Sequence, residues 1–221
     1  GLDVIDFSIA SSINENALIA WTEIDSVDAS VKLWSGFYNP HTNSWSGNPS
    51  SDDMLIQPVQ IKDSSDASGE ILQLFLTSNS EGKAVASWVQ ASAGINSIWM
   101  SYFDGISWSP DAILISDQPG FESASSPNSR ILDSGEVVIS WVESSMGLTK
   151  IKARTFSLQN GFKHDIEFEP AGAINGIDPT MATNGSEIVS IWLQSVAGVK
   201  RIYSSAYSSV TGWESPKPMQ T

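Results

Sequence analysis

Short apolar runs that end in tryptophan recur four times along the chain. They cover residues 17–21, 84–88, 137–141 and 188–192, and each follows a cluster of Asn, Asp, Gly, Glu or Ser residues. Apolar runs of about four to eight residues bounded by turn residues are typical of β-strands. The pattern leaves no window for a helix of ordinary length, so we predict an all-β chain.

A second segment follows each tryptophan and ends in an aromatic residue. These segments cover residues 33–38, 98–103, 151–156 and 202–207, and a further aromatic residue comes after each of them. Successive anchor tryptophans lie 67, 53 and 51 residues apart. The longer first interval comes mainly from residues 39–69, which are rich in Ser and Asp and predict a loop. A fixed period of this kind indicates four copies of one module.

Each module contains four predicted strands. The tryptophan run is the second strand, and the segment that ends in an aromatic residue is the third. First strands are predicted at residues 7–10, 72–76, 129–132 and 179–182, and fourth strands follow the late aromatic residue, as at 112–115 and 165–169. Because the fourth strand at 165–169 alternates carboxylates with apolar residues, we interpret it as a solvent-facing edge strand.

The second strands are apolar or small on both faces. In the third copy, Val137, Ile139 and Trp141 lie on one face, and residues 138, 140 and 142 (Val, Ser and Val) lie on the other. A strand of a β-sandwich alternates apolar with polar residues, because one of its faces meets water. A strand that is buried on both faces needs a sheet on each side, which radially stacked sheets provide.

We therefore predict a β-propeller of four-stranded antiparallel blades, with four blades in this chain. The blades span approximately residues 6–57, 71–116, 128–170 and 178–221 of a single domain at 1–221. Residues 2–5 are predicted to complete the last blade, because Pro216 and Pro218 make a poor outer strand. Alternatively, the chain is part of a larger propeller, or it is a homo-oligomer that completes a larger ring.

One turn carries a family resemblance. Residues 101–108 read Ser-Tyr-Phe-Asp-Gly-Ile-Ser-Trp, which resembles the Asp-box repeats of bacterial β-propellers of the sialidase-like, or BNR, class. Asp104 and Gly105 are adjacent, whereas the repeat has one residue between them. The resemblance implies a propeller fold and a structural turn that lies away from any active site. It does not imply sialidase activity, because Arg130 lies on a first strand and the other two arginines, Arg154 and Arg201, lie on third strands.

Composition narrows the classes of partner. The chain has 11 basic and 25 acidic residues, a formal net charge of −14. This charge repels phosphate backbones and anionic membranes, so we expect neither nucleic-acid binding nor membrane insertion. The chain has no cysteine and shows no cofactor-binding motif, and we expect no cofactor and no metal. A bacterial origin and a secreted, periplasmic or cell-surface location are favoured, with no signal peptide in this sequence.

The second position of the third strand supplies the candidate binding residues. It holds Trp34, Trp99, Lys152 and Tyr203 in the four copies, and Arg130 on a first strand is a further candidate. Exposed aromatic rings suit sugars or protein partners, whereas buried ones would pack between blades. Lys152 interrupts the aromatic series, which indicates that the position is partly exposed.

The sequence shows no catalytic constellation. Clustered acids at residues 52–53 and at 63 and 66 lie in Ser-rich stretches that favour solvated carboxylates. We therefore predict a non-catalytic binding or scaffolding module that engages a protein or a glycan through its loops, and not an enzyme. The alternative is a carbohydrate-active enzyme, a glycoside hydrolase of the sialidase-like propeller type.

Overall fold

The computed structural model describes residues 2–11, 17–27, 31–39, 41, 43–46, 54–56, 71–92, 94–116, 123–163, 166–168 and 173–219. Within these ranges the chain forms β-strands and no helix, so no described helix could cross a membrane. The prediction of an all-β chain is confirmed. The chain divides into two compact units, Gly1–Ser116 and Asp117–Thr221.

The first unit contains two antiparallel sheets, which we call A and B. Sheet A consists of β1 (Leu2–Ser11), β2 (Ala17–Asp25), β3 (Val31–Asn39), β4 (Ser44–Ser46) and β5 (Met54–Ile56). Sheet B consists of β6 (Ile71–Ser78), β7 (Ala84–Ser92), β8 (Ile95–Phe103) and β9 (Ile113–Leu114).

The second unit contains sheets C and D. Sheet C consists of β10 (Ser123–Ile131), β11 (Val137–Ser145), β12 (Leu148–Ser157), β13 (Gly161–Phe162) and β14 (Ile166–Glu167). Sheet D consists of β15 (Ala173–Thr183), β16 (Glu187–Val196), β17 (Val199–Ser208), β18 (Gly212–Trp213) and β19 (Lys217–Pro218).

The four sheets share one topology. In each, the first three strands follow chain order, and the place of the fourth strand is taken by short segments that pair with the third. In sheet C, for example, β13 pairs with the end of β12 at Phe156 and β14 pairs with its middle at Lys152. Four modules with this strand order are what the repeat predicts.

The prediction that residues 2–5 complete the last blade is wrong. Residues 2–5 do not complete the last sheet, because they continue β1 and pair with β2, where Leu2 faces Asp25. Sheet D supplies its own outer segment, since β19 pairs with β17 at Tyr203 and Ser204. A proline is tolerated there because an edge strand needs no ladder hydrogen bond on its outer side. The predicted loop at 39–69 also contains β4 and β5, and the rest of it lies largely outside the described residues.

Within each unit the two sheets pack through the second-strand tryptophans. Trp88 is fully buried against Leu18 and Leu33 of sheet A, and Trp192 is buried against Ile151 of sheet C. Strand β11 is buried on both faces from Val137 to Val142, as the sequence predicts. This burial of apolar surface on both sides of a strand is the main stabilising contribution of the fold.

A polar side chain on the first strand ties each pair of sheets together. The Ser8 hydroxyl accepts a hydrogen bond from the Leu76 amide at 3.0 Å, and Asn128 Oδ1 accepts one from the Met181 amide at 3.1 Å. Ser8 and Asn128 occupy the same place in their sheets, since each pairs with the residue before a second-strand tryptophan. The equivalent bonds satisfy backbone donors that face away from their own ladder.

Candidate functional site

The predicted binding positions are structurally equivalent. Each faces the second-strand tryptophan of its own sheet, in the pairs Trp21 with Trp34, Trp88 with Trp99, Trp141 with Lys152 and Trp192 with Tyr203. Since each sheet holds one of the four residues, no sheet brings two of them together.

The three aromatic residues of this set take part in packing. Tyr203 is buried and lies 6.2 Å from Trp192, with the two ring planes 24° apart. Trp99 is half-buried against the core of the first unit, and Trp34 is half-buried in sheet A. Their role as ligand contacts stays a prediction.

Lys152 is the centre of an ionic cluster on sheet C. Its ammonium lies 3.1 Å from Glu167 Oε2 and 4.0 Å from Glu143 Oε1, and Lys150 also contacts Glu167. Partial burial opposes the ionisation of Glu167, but the two lysines outweigh it and hold the pKa of this carboxyl below its usual value. Glu143 is nearly inaccessible to solvent. The cluster occupies the place where the other sheets carry aromatic residues.

Every second-strand tryptophan is followed, two residues later, by Glu or Gln. Trp21 Nε1 donates to Glu23 Oε1 at 2.9 Å, and Trp192 Nε1 donates to Gln194 Oε1 at 3.0 Å. Trp88 makes the same bond, to Gln90. Sequence reasoning missed this Trp-x-Glu/Gln repeat, although alignment of the four copies displays it.

Sheet C departs from this arrangement. The indole nitrogen of Trp141 is buried without a hydrogen-bond partner, while Glu143 lies beside Lys152. The substitution of an aromatic residue by Lys152 explains the difference, because the ammonium competes for the carboxylate that the indole would bind. Three of these acceptor side chains keep a buried, unpartnered atom: Glu23 Oε2, Glu143 Oε2 and Gln194 Nε2.

Each first strand contains a β-bulge near its second-strand tryptophan. In sheets B, C and D, the residue two before the Ser8-equivalent position has a left-handed backbone, with φ of 52° at Gln73, 55° at Ser126 and 55° at Asp178. None of the three is a glycine, so each conformation costs about 1–3 kcal/mol. Bulges of this kind re-aim side chains and are common beside active sites.

Strand β15 contains a second β-bulge, at Asn175. Asn175 is left-handed with φ of 57°, so that residues 175–178 contain two strained polar residues three positions apart, and both are exposed. Between them, Gly176 packs so closely that an added Cβ would lie 2.7 Å from Ile151 Cγ1 and 3.1 Å from Gln194 Oε1. Two exposed polar residues, Asn175 and Asp178, thus flank a buried glycine that packs against Ile151 and Gln194. We take residues 175–178 as the candidate site.

Two dipeptides in the sequence indicate the unusual backbone of this segment. Asn and Asp tolerate the left-handed conformation better than other residues, and Asn175-Gly176 and Asp178-Pro179 are turn-type dipeptides inside a strand. The first strand predicted at residues 179–182 does not include residues 175–178 as strand residues.

Arg130 and Arg154 lie on different strands of sheet C, and Arg201 lies in sheet D. Arg130 stands on β10, where Nη1 donates to the Ser129 carbonyl oxygen at 2.6 Å, and burial lowers the pKa of its guanidinium. Arg154 lies on β12, buried, with its guanidinium 4.9 Å from the centre of the Phe162 ring. The described residues contain no group of three His, Cys, Asp or Glu side chains placed to hold a metal ion.

The Asp-box-like turn has a structural role. Asp104 Oδ1 accepts hydrogen bonds from the Ile106 and Ser107 amides, each at 2.8 Å. These bonds favour the ionised form and lower the pKa of the carboxyl. The turn leads to Trp108, whose Nε1 donates to the Ser35 hydroxyl at 2.7 Å and joins sheet B to sheet A.

No protein family and no curated protein matches the sequence. Solved structures match its fold. An α-L-arabinanase of Penicillium chrysogenum is 11% identical, with a TM-score of 0.61, over 98% of this chain and 66% of its own. The GH93 α-L-arabinofuranosidase of Fusarium graminearum is 12% identical, with a TM-score of 0.56, over 92% and 62%. Zg3597 of Zobellia galactanivorans, a family 117 glycoside hydrolase, is 11% identical, with a TM-score of 0.53, over 98% and 70%.

These neighbours are β-propeller enzymes, and the likeness shows the fold class. The finer sialidase-like assignment stays a prediction. The chain spans less than two thirds of the length of the first two structures.

The comparisons correct the functional prediction. A non-catalytic binding or scaffolding module is contradicted, because the solved structures that share this fold are glycoside hydrolases, and the prediction that the chain is not an enzyme is wrong for the same reason. The prediction rested on the absence of a catalytic pattern in the sequence. In a fold built of separate sheets, site residues come from distant parts of the chain and leave no local pattern.

Proposed function

We propose that this chain is a carbohydrate-active enzyme that cleaves glycosidic bonds in a polysaccharide. The observation that carries the proposal is the fold, which nearly the whole chain shares with an arabinanase, an arabinofuranosidase and a family 117 glycoside hydrolase. The same proposal includes the assignment of the sheets as blades of a propeller and of the Asp104 turn, within sheet B, as an Asp-box-type turn.

Glycoside hydrolysis requires a carboxyl group that transfers a proton to or from the reacting oxygen, usually with a second carboxylate. Asp178 is our candidate for the first group. It is exposed, it lies on a first strand, and a strained backbone fixes its direction. Asn175, three residues before it, offers an amide to sugar hydroxyls. Glu143 of the same unit, with its buried and unpartnered Oε2, is the second candidate.

The net negative charge of the chain favours a neutral polysaccharide as substrate. A net charge of −14 repels polyuronates and sulfated polymers, whose binding would need cations that this chain does not supply in number. We therefore propose a neutral polysaccharide, with arabinan as the first to test because two of the structures sharing this fold are arabinan-type enzymes by name.

The test measures reducing sugars released from arabinan, arabinoxylan, β-glucan and polygalacturonate. We expect cleavage of at least one neutral polymer and none of polygalacturonate. Asp178→Asn should lower kcat by about 100-fold or more, the range for loss of a general acid or base. Glu187→Gln is the matched control, because it neutralises another exposed carboxylate of sheet D. Absence of cleavage on every polymer would overturn the proposed function. Full activity of Asp178→Asn would overturn the assignment of Asp178 as the proton-transferring group.

A further inference from the structure

The packing of sheets within the two units follows a single rule. We call the side of a sheet that carries the second-strand tryptophan its leading face and the opposite side its trailing face. In the first unit, Leu74, Leu76 and Trp88 on the leading face of sheet B cover Leu18 and Leu33 on the trailing face of sheet A.

The second unit repeats the arrangement. Met181 on the leading face of sheet D covers Val138 on the trailing face of sheet C, and Trp192 covers Ile151. In both units, therefore, the leading face of the later sheet packs on the trailing face of the earlier sheet. It is reinforced each time by the polar link from Ser8 or Asn128 to the amide of Leu76 or Met181.

The leading face of sheet A remains open. Phe7 and Ile9 are 71% and 63% exposed, whereas Leu74 and Leu76, at the same places of sheet B, are 7% and 4% exposed. Trp21 is half-buried, although the other three second-strand tryptophans are fully buried. Large exposed apolar side chains side by side on a sheet mark a surface that another molecule covers.

The trailing face of sheet D is open as well. Val189 is 47% exposed, while Leu18 at the same place of sheet A is 1% exposed. Ile191, Leu193 and Ile202 continue this face and are half-buried. The two open faces are thus of opposite kind, one leading and one trailing, and both are apolar.

The polar link is also available across these faces. Thr180 of sheet D occupies the place of Ser8 and Asn128 and carries a hydroxyl that can accept a hydrogen bond. Ile9 of sheet A occupies the place of Leu76 and Met181, whose amides donate in the established contacts. The same bond therefore predicts a pairing of Thr180 with Ile9.

We propose that the occupant of both faces is a second copy of this chain, bound head to tail. The leading face of sheet A of each copy covers the trailing face of sheet D of the other, so that two identical contacts related by a twofold axis hold the pair. The proposal stands on sheet packing alone and does not depend on the proposed enzymatic function.

Sedimentation velocity of the protein from about 1 to 100 μM tests the proposal. We expect a dimer of the wild type and monomers of both Phe7→Lys and Val189→Lys, because each variant places a charge in both contacts. Val27→Lys and Val210→Lys are the matched controls, since these valines are exposed in turns outside the two faces and should leave the dimer intact. All four positions are exposed, so near-ultraviolet circular dichroism should show a folded chain in every variant.

Mixing the two monomeric variants tests the direction of assembly. The intact trailing face of Phe7→Lys can still cover the intact leading face of Val189→Lys, so the mixture should form a dimer through one contact. A wild type that stays monomeric at 100 μM would overturn the proposal and point to another occupant, such as further sheets. A dimer of Phe7→Lys alone, or of Val189→Lys alone, would overturn the head-to-tail arrangement, as would a mixture that stays monomeric.

Discussion

One residue, Lys152, rearranges the hydrogen bonds of a whole module. In sheets A, B and D the tryptophan of the second strand donates to a Glu or Gln two residues later. In sheet C the ammonium of Lys152 lies near Glu143, and the indole of Trp141 is left unpartnered in the interior. An unmade hydrogen bond in the interior costs about 1–3 kcal/mol, which the ion pair has to offset.

Replacement of Lys152 should reveal this coupling. Lys152→Trp gives sheet C the Trp–Glu–Trp set of sheet A, but it removes the cation that contacts both Glu143 and Glu167. We expect a loss of about 2 kcal/mol in the free energy of unfolding. The double variant Lys152→Trp/Glu143→Gln reproduces sheet B and should recover most of that loss. Urea denaturation measures both, and equal losses in the single and double variants would contradict the coupling.

Tyr207 makes stability depend on alkaline pH. Its phenol is buried next to Glu136 and Thr155; burial first, and then the charge of Glu136, raise its pKa above the ordinary value of 10.0. The folded chain keeps this proton at pH values where the unfolded chain releases it. The contribution is therefore complete below about pH 10, and the free energy of unfolding should fall as the pH rises above it.

Tyr207→Phe separates this effect from the rest of the protein. The variant cannot ionise, so the decline in stability between about pH 9.5 and 11 should become shallower than in the wild type. At pH 7 the loss of the hydroxyl should lower stability by about 1 kcal/mol, the usual net value of a buried hydrogen bond. Urea denaturation at a series of pH values measures both, and identical slopes would contradict the assignment to Tyr207.

At the scale of the strand, β15 combines close packing with backbone strain. Gly176→Ala places a methyl group against Ile151, and we expect a loss of about 1–3 kcal/mol in stability from overpacking. In an Ile151→Ala background the added methyl group finds space, and the loss should disappear. Thermal or urea denaturation of the four proteins gives the coupling energy, and additive effects would show that the two residues do not meet.

Variants of the strained Asp178 test whether its backbone strain lowers stability while the side chain serves activity. Asp178→Gly relieves the left-handed backbone and should raise the free energy of unfolding by about 0.5–1 kcal/mol, after the flexibility of glycine is allowed for. Asp178→Val should lower it, because a β-branched side chain is strained in this conformation. If Asp178 acts on substrate as proposed, both variants lose polysaccharide cleavage. A more stable and fully active Asp178→Gly would remove the residue from the site.

The sequence predicts strands well where packing alone decides them. The period, the tryptophan anchors and the positions of the second and third strands follow from apolar patterning, since the buried face of each strand has to repeat in every copy. The β14 segment lies within the fourth strand predicted at 165–169, whereas β13, β19 and the bulges at Gln73, Ser126 and Asp178 do not follow from the patterning. They rest on hydrogen bonds of two or three residues and on polar side chains, which leave no periodic signal.

For the whole molecule, sequence patterning predicts a class of fold but not a chemistry. The candidate site depends on Asn175 and Asp178 being held in a bulge, and on Gln194 being buried beneath the segment, which no spacing in the sequence displays. We expected a binding module because the sequence displays no such site. The similarity of the fold to glycoside hydrolases corrects that expectation.

The charge of the whole chain predicts a response to salt. With 25 acidic and 11 basic residues, repulsion among carboxylates opposes the compact state. Raising NaCl from about 10 to 150 mM shortens the screening length from roughly 30 to 8 Å and should increase the free energy of unfolding. Urea denaturation at both concentrations measures this, and a decrease with salt would mean that ion pairs such as Lys152 with Glu167 dominate.

The bond from tryptophan to the residue two positions later uses only one terminal atom of its acceptor. Both glutamate and glutamine accept this bond, as Glu23 and Gln194 show, because Oε1 receives the indole hydrogen in each. Exchange of amide for acid at this place therefore keeps the bond and the sheet. Each copy of the module can hold either a sheltered carboxylate or an amide there, so the chemical character of the position is independent of the architecture.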